Sequence, residues 1–85
     1  MATVRYRISA AFGLHARPAA RLAAAAAGWG GRATVRVDRG GASVEADDPM
    51  ALMGLDARCG DVLVVDAPGA DARAVSRALG DAFGA

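Results

Sequence analysis

One cysteine, one histidine and not a single lysine set limits on what this 85-residue chain can do. The lone Cys59 excludes an internal disulfide framework and cannot build a thiolate metal site. With no histidine or second cysteine beside it, it reads as a small buried hydrophobe. All ten cationic side chains are arginine, a bias we attribute to coding rather than to function. Nine acidic residues leave a net charge of +1, too even for a protein held to nucleic acid by charge. No apolar run approaches the ~18–20 residues of a membrane span, and Met1-Ala2-Thr3-Val4-Arg5 is not a secretory signal. A cytoplasmic address without stable membrane association is therefore expected. What is present, 54% apolar and 22% charged residues, suits a soluble globular protein. Surface scaling lets such a chain hide only ~60% of its unfolded surface, so one domain over residues 1–85 with one modest core is expected.

Thr3 to Ser9 alternates, with Val4, Tyr6 and Ile8 on one face and Arg5 and Arg7 on the other, as in a half-buried strand. Gly13 breaks the pattern. A helix is expected from Ala16 to Ala27, given Ala19, Ala20, Leu22 and the alanine run that follows. Pro18 fits its first turn, where an N–H would have no helical partner. Gly28, Gly30 and Gly31 end this helix, with Trp29 folding back as a lid on the core. Arg32 to Asp38 reads as a second strand with Val35 and Val37 inward. Arg39-Gly40-Gly41 turns it into a third strand through Ala42, Val44 and Ala46. Asp48 as N-cap and Pro49 at the first helical position open a short helix ending near Leu55. Val62 to Val65 is the continuous apolar run of a buried central strand. Past Pro68-Gly69, a last helix carries Ala72, Val75, Leu79 and Phe83 on its core face. The order βαββαβα, with helices segregated against an antiparallel-leaning sheet, gives an α+β two-layer sandwich. Asp38, Asp61, Asp66 and Asp71 fall at element edges, where solvation or capping accounts for them.

The single histidine, His15, stands at the boundary of the first helix. The first N–H groups there, of Ala16 and Arg17, have no internal acceptor and point outward beside the imidazole. The positive end of the helix dipole opposes an extra proton on the ring, and a neutral imidazole keeps the lone pair that a nucleophile needs. The same field favours an anion carried by the ring, as at phosphate sites on helix N-termini. Arg17 adds a permanent planar donor fork suited to phosphate oxygens. Position alone also admits a capping or surface histidine and a solvated arginine, and at this point both readings stand.

Gly13-Leu14-His15-Ala16-Arg17-Pro18-Ala19 resembles the active-site heptapeptide of the HPr family, the histidine phosphocarriers of the bacterial phosphoenolpyruvate-dependent sugar phosphotransferase system. The likeness extends over size, element order, the Val44 to Leu55 region and the late Gly60. It implies an open-faced β-sandwich of four antiparallel strands covered by three helices. It further implies that Enzyme I phosphorylates His15 at Nδ1 and that the group passes to an EIIA domain. Arg17 and the amides of Ala16 and Arg17 would hold the phosphoryl oxygens. Such a chain is a covalent relay rather than a turnover enzyme, monomeric, with no cofactor and no metal of its own. By the same resemblance Ala16, Ala20, Arg21, Pro49, Met50 and Met53 form the partner-docking patch, methionine suiting a surface that meets two partners. Core filling is the competing reading for each methionine.

Two positions depart from the family pattern. Position 12, polar in many members, is Phe12, which cannot accept a hydrogen bond from the helix. The serine that a kinase modifies in Gram-positive members aligns with Asp48, so no regulatory serine is expected there and Asp48 reads as a permanent N-cap. Two rival functions share the coarse layout. One is an HPr-like regulatory paralogue that works by binding targets in a nitrogen- or carbon-responsive branch. The other is a ferredoxin-like small-molecule sensor, which leaves the heptapeptide unexplained.

Overall fold

The structure, a computed structural model, describes residues 2–84; the two ends of the expected domain, Met1 and Ala85, lie outside the described residues. Its elements are β1 (Ala2–Arg7), α1 (Ala16–Ala26), β2 (Thr34–Val37), β3 (Val44–Glu45), α2 (Pro49–Gly54), β4 (Val62–Ala67) and α3 (Ala72–Phe83). The four strands form one antiparallel sheet in the order β1-β4-β2-β3. The expected βαββαβα layout and open-faced α+β sandwich are thus present.

Register explains which face the helices cover. Val65 of the central strand β4 sits between Val4 and Val35, and Leu63 sits between Tyr6 and Val37. These cross-strand rows build an apolar stripe two residues wide in period. Against it pack Ala19, Leu22, Ala23 and Ala26 of α1, Leu52 of α2, and Val75, Leu79, Ala82 and Phe83 of α3. Trp29 covers the edge of the same cluster, half-buried, as the lid expected for it.

The opposite face explains why β4 is apolar at every position from Val62 to Val65. Val64 lies outside the helix-covered cluster, opposite Arg5 on one side and Arg36 on the other, yet it is only 1% exposed. Arg5 spans β4 to reach Asp38 at the end of β2, at 2.7 Å. Val64 is thus flanked on the open face by two arginines, whose long aliphatic stems are suited to covering an apolar neighbour.

Several sequence expectations need correction. The third strand is shorter than Ala42 to Ala46: pairing begins at Val44, opposite Val35, and Ala42 is exposed. Gly40 and Gly41 take φ +122° and +102°, so the β2–β3 connection opens into a wide loop rather than a tight hairpin. Ala72 is exposed because it is the first residue of α3, and Ala82 takes the core position instead. Cys59 is exposed, not buried: it lies in the turn before β4, where the preceding Ala57 fills the apolar slot. The aspartates behave as expected. Asp48 caps α2 by accepting from Ala51 N–H (3.2 Å), and Asp71 caps α3 by accepting from Ala74 N–H (2.8 Å). Asp66 accepts from the Thr3 hydroxyl at 2.7 Å.

Asp61 braces the turn from Asp56 to Asp61. Its carboxylate accepts from the Arg58 N–H (2.9 Å) and pairs with Arg39 (3.3 Å). The Arg58 N–H first, and then the Arg39 guanidinium, hold this carboxyl below the usual carboxylate range. A carboxyl lowered in the folded state contributes stability that is present above its unfolded value and lost as pH falls through the folded one. Asp61→Asn is therefore expected to flatten the fall in stability between about pH 5 and pH 2, read as melting temperature against pH. An unchanged acid limb would remove Asp61 from the account.

Candidate functional site

The loop between β1 and α1 is held to the Asp56–Asp61 turn from below. Ile8 N–H donates to Asp61 carbonyl (2.8 Å) and Gly60 N–H returns a bond to Ile8 carbonyl (2.7 Å). Leu14 N–H then donates to Ala57 carbonyl at 3.0 Å, and the Leu14 side chain is buried. Gly13 is the tightest point of this seam. It adopts φ +65°, and a Cβ there would lie 2.8 Å from Arg58 Cα and overlap the Ala57 carbonyl oxygen. Only glycine satisfies both the left-handed backbone and the close approach. His15 is thereby delivered to the start of α1 on an anchored loop, with its own side chain exposed.

At that start, His15 is the N-cap, with extended backbone and no side-chain capping bond. The first helical bond runs from Ala19 N–H to His15 carbonyl at 3.0 Å. Pro18 has no N–H, as anticipated from its place in the first turn. Among the described residues the Ala16 and Arg17 N–H groups meet no acceptor. The imidazole thus stands beside two open main-chain donors that no protein group occupies. Arg17 and Arg21 are both exposed and, among the described residues, neither forms an ion pair, whereas Arg5, Arg32, Arg39 and Arg58 all do.

An open cleft of about 570 Å³ joins these groups. His15, Ala16, Arg17, Pro18 and Arg21 line one side, Ala10 lies at the loop, and Ala82, Phe83 and Gly84 from the end of α3 form the other wall. The structure therefore brings His15, Ala16, Arg17 and Arg21 into one site. Ala20 is exposed on α1 but outside the cleft. Pro49, Met50 and Met53 are also outside it, on α2, which packs against α1. Met50 is 74% exposed, whereas Met53 is half-buried against the core, so core filling fits Met53 and not Met50.

Two arrangements at the site lie beyond sequence reasoning: the wall that Phe83 and its neighbours give the cleft, and the contact that Phe12, a position the sequence does single out, makes with the imidazole. Phe83 was legible as a core residue, and it does stack on Tyr6 with ring centroids 5.3 Å apart. That the end of α3 would also wall the histidine cleft depends on how α3 crosses α1, which periodicity does not encode. The second is Phe12, whose ring stands edge-to-face with His15, centroids 5.9 Å apart and planes at 85°.

Comparison with known proteins agrees with this geometry. A family model described as PTS HPr component phosphorylation site matches residues 2–85. The fold is similar to HPr-C-His from Thermoanaerobacter tengcongensis, at 32% identity and a TM-score of 0.78, covering 98% of this chain and 91% of that one. It is similar to the histidine-containing phosphocarrier protein of a mycoplasma, at 26% identity and a TM-score of 0.84, covering 96% and 97% of the two chains. A phosphocarrier protein HPr from Bacillus anthracis str. Ames aligns at 25% identity and a TM-score of 0.66, covering 96% and 92%. A multiphosphoryl transfer protein of Xanthomonas campestris pv. campestris is 43% identical over 67 residues, 79% of this chain. The chain spans only 8% of the length of that relative. With the histidine at the helix start, the open amides beside it and a family match over the described fold, this chain belongs to the HPr family of phosphotransferase-system phosphocarriers.

Proposed function

We propose that His15 is the carrier residue, accepting a phosphoryl group from phosphorylated Enzyme I and passing it to an EIIA domain. In the forward step a lone pair of the neutral imidazole, on Nδ1 as the family resemblance implies, forms the N–P bond. The N–P bond of the donor's phosphohistidine breaks and its electron pair returns to the donor ring. The proton on the other nitrogen of His15 stays in place, and the second transfer reverses the same changes toward the acceptor. Phosphoryl transfer of this kind asks the protein mainly for positioning and charge stabilisation. One observation carries the reading: an imidazole without a hydrogen bond, two amides without an acceptor and an Arg17 guanidinium without an ion pair, each among the described residues, stand at one helix start. The amides and the planar fork of Arg17 supply donors for the three phosphoryl oxygens without any rearrangement of existing bonds.

Arg21 and the exposed face made by Ala16, Ala20, Pro49 and Met50 serve docking, with Arg21 directed at acidic groups on the partners. Met53, half-buried, supports that face from below. Asp48 keeps α2 capped and offers no hydroxyl to a serine kinase. The transfers take place in the cytoplasm.

The test is a reconstituted relay with labelled phosphoenolpyruvate, Enzyme I, this protein and an EIIA domain. Label is expected to reach EIIA through the wild type and to stop at Enzyme I with His15→Ala, whose exposed side chain makes no fold-bearing contact. Passage through a folded His15→Ala variant would overturn the assignment.

A further inference from the structure

Phe12 is 85% exposed, the most exposed large apolar side chain among the described residues, so core packing does not explain it. Its ring has one aromatic partner, the His15 imidazole, in the edge-to-face arrangement that aromatic quadrupoles favour. His15 has no side-chain capping bond, and no hydrogen bond to its imidazole is present among the described residues. No polar contact therefore fixes the plane of the ring. The backbone that presents Phe12 is anchored on both sides: Gly13 N–H donates to Ala10 carbonyl at 3.0 Å, and Gly13 then turns the chain at φ +65° against Ala57 and Arg58. Phe12 and His15 are thus two side chains on opposite shoulders of one clamped turn, facing each other.

We propose that Phe12 is a positioning residue for His15, its ring holding the imidazole plane in the orientation from which a ring nitrogen meets phosphorus. This deepens the phosphocarrier reading and rests on it. An in-line displacement tolerates little error in the direction of the attacking lone pair. A ring free to rotate about its side-chain bonds spends less time aligned, whereas one set edge-to-face against a neighbour carried on an anchored turn is biased toward one plane before the donor arrives. Because Phe12 meets the imidazole and does not line the cleft, its effect belongs to the first-order transfer step rather than to partner affinity.

Two variants, set against the wild type, and two readouts test this. Phe12→Leu keeps apolar bulk and removes the ring, Phe12→Tyr keeps the ring, and the wild type is the reference. The first readout is the pair of His15 ring C–H resonances in the unphosphorylated protein. Wild type and Phe12→Tyr are expected to share a ring-current shift that Phe12→Leu loses. The second is phosphoryl uptake from phosphoramidate and from phosphorylated Enzyme I, separating the saturating rate from the half-saturating concentration. Phosphoramidate needs no protein partner: its N–P bond breaks as the His15 N–P bond forms, and ammonia leaves. Phe12→Leu is expected to lower the saturating rate with both donors by about 3- to 10-fold, and Phe12→Tyr to restore it. Unshifted histidine resonances in Phe12→Leu would overturn the proposal, as would a wild-type saturating rate. A change confined to the half-saturating concentration for Enzyme I would make Phe12 a docking residue and also overturn it. Wild-type uptake with an indistinguishable Phe12→Leu rejects this proposal alone. No uptake by the wild type from either donor rejects the phosphocarrier reading, and this proposal with it.

Discussion

Replacing Gly13 with alanine is expected to destabilise the protein by about 2–4 kcal/mol, the sum of a left-handed backbone imposed on an L-residue and a methyl group forced into packed main chain. Neither term has an easy escape. The backbone cannot relax to negative φ without breaking the Leu14–Ala57 bond, and the obstructing atoms are the Ala57 carbonyl and Arg58 Cα rather than a flexible side chain. For a domain of this size that loss corresponds to a melting temperature lower by about 10–25 °C. Gly80→Ala supplies the contrast. Gly80 lies within α3 with open space where its Cβ would stand and no positive φ, so the same change should stabilise by about 0.5–1 kcal/mol. Urea or thermal unfolding of both variants reads the opposite signs directly. If Gly13→Ala melts with the wild type, the loop is not clamped as described, and the anchoring of His15 fails with it.

Arg17→Ala is expected to reduce the rate of phosphoryl transfer by about 10²–10³, the usual consequence of deleting one charged donor from a site that stabilises transferring charge. The fold should hardly notice. Arg17 is exposed and, among the described residues, carries no ion pair, so a stability change within about 0.5 kcal/mol is expected. Arg17→Lys separates charge from geometry: it keeps the cation and loses the planar fork, and should fall between the two. Rapid-quench measurement of single-turnover transfer from phosphorylated Enzyme I checks the order. Equal rates for wild type and Arg17→Ala would leave the open amides of Ala16 and Arg17 as the sole hydrogen-bond donors to the phosphoryl oxygens. They would also limit Arg17 to a surface charge.

The parts of the fold governed by local physics were legible in the chain. Alternation in β1 follows from one face being covered, and it names Val4, Tyr6 and Ile8 correctly as inward. The caps at Asp48 and Asp71 follow from short acceptors placed before open helix donors. Pro18 signals the first turn of α1 because only there does a missing N–H go unnoticed. Errors arose where non-local packing decides. Alternation continues to Ala42 and extends the expected third strand that far, but the wide glycine loop lets pairing start only at Val44. Residue type alone puts Cys59 inside, whereas the turn that carries it leaves it exposed.

The candidate site divides in the same way. His15, Ala16 and Arg17 share one helix start, so their proximity is written in consecutive residues. The wall supplied by Ala82, Phe83 and Gly84 comes from the far end of the chain and depends on how α3 crosses α1. The contact between Phe12 and His15 depends on Gly13 turning with positive φ, which the glycine permits without requiring. Burial separates Met50 from Met53, although both fall on one short helix, because only Met53 faces the core cluster.

The whole account depends on the chemistry of one imidazole. Incubation with phosphoenolpyruvate and an Enzyme I of proven activity, followed by intact-mass and phosphorus NMR measurement, addresses it most directly. The account predicts one acid-labile phosphoryl group per chain, assigned to the His15 ring and absent from His15→Ala. No added phosphoryl group on the wild type, or one assigned to any other residue, would contradict it.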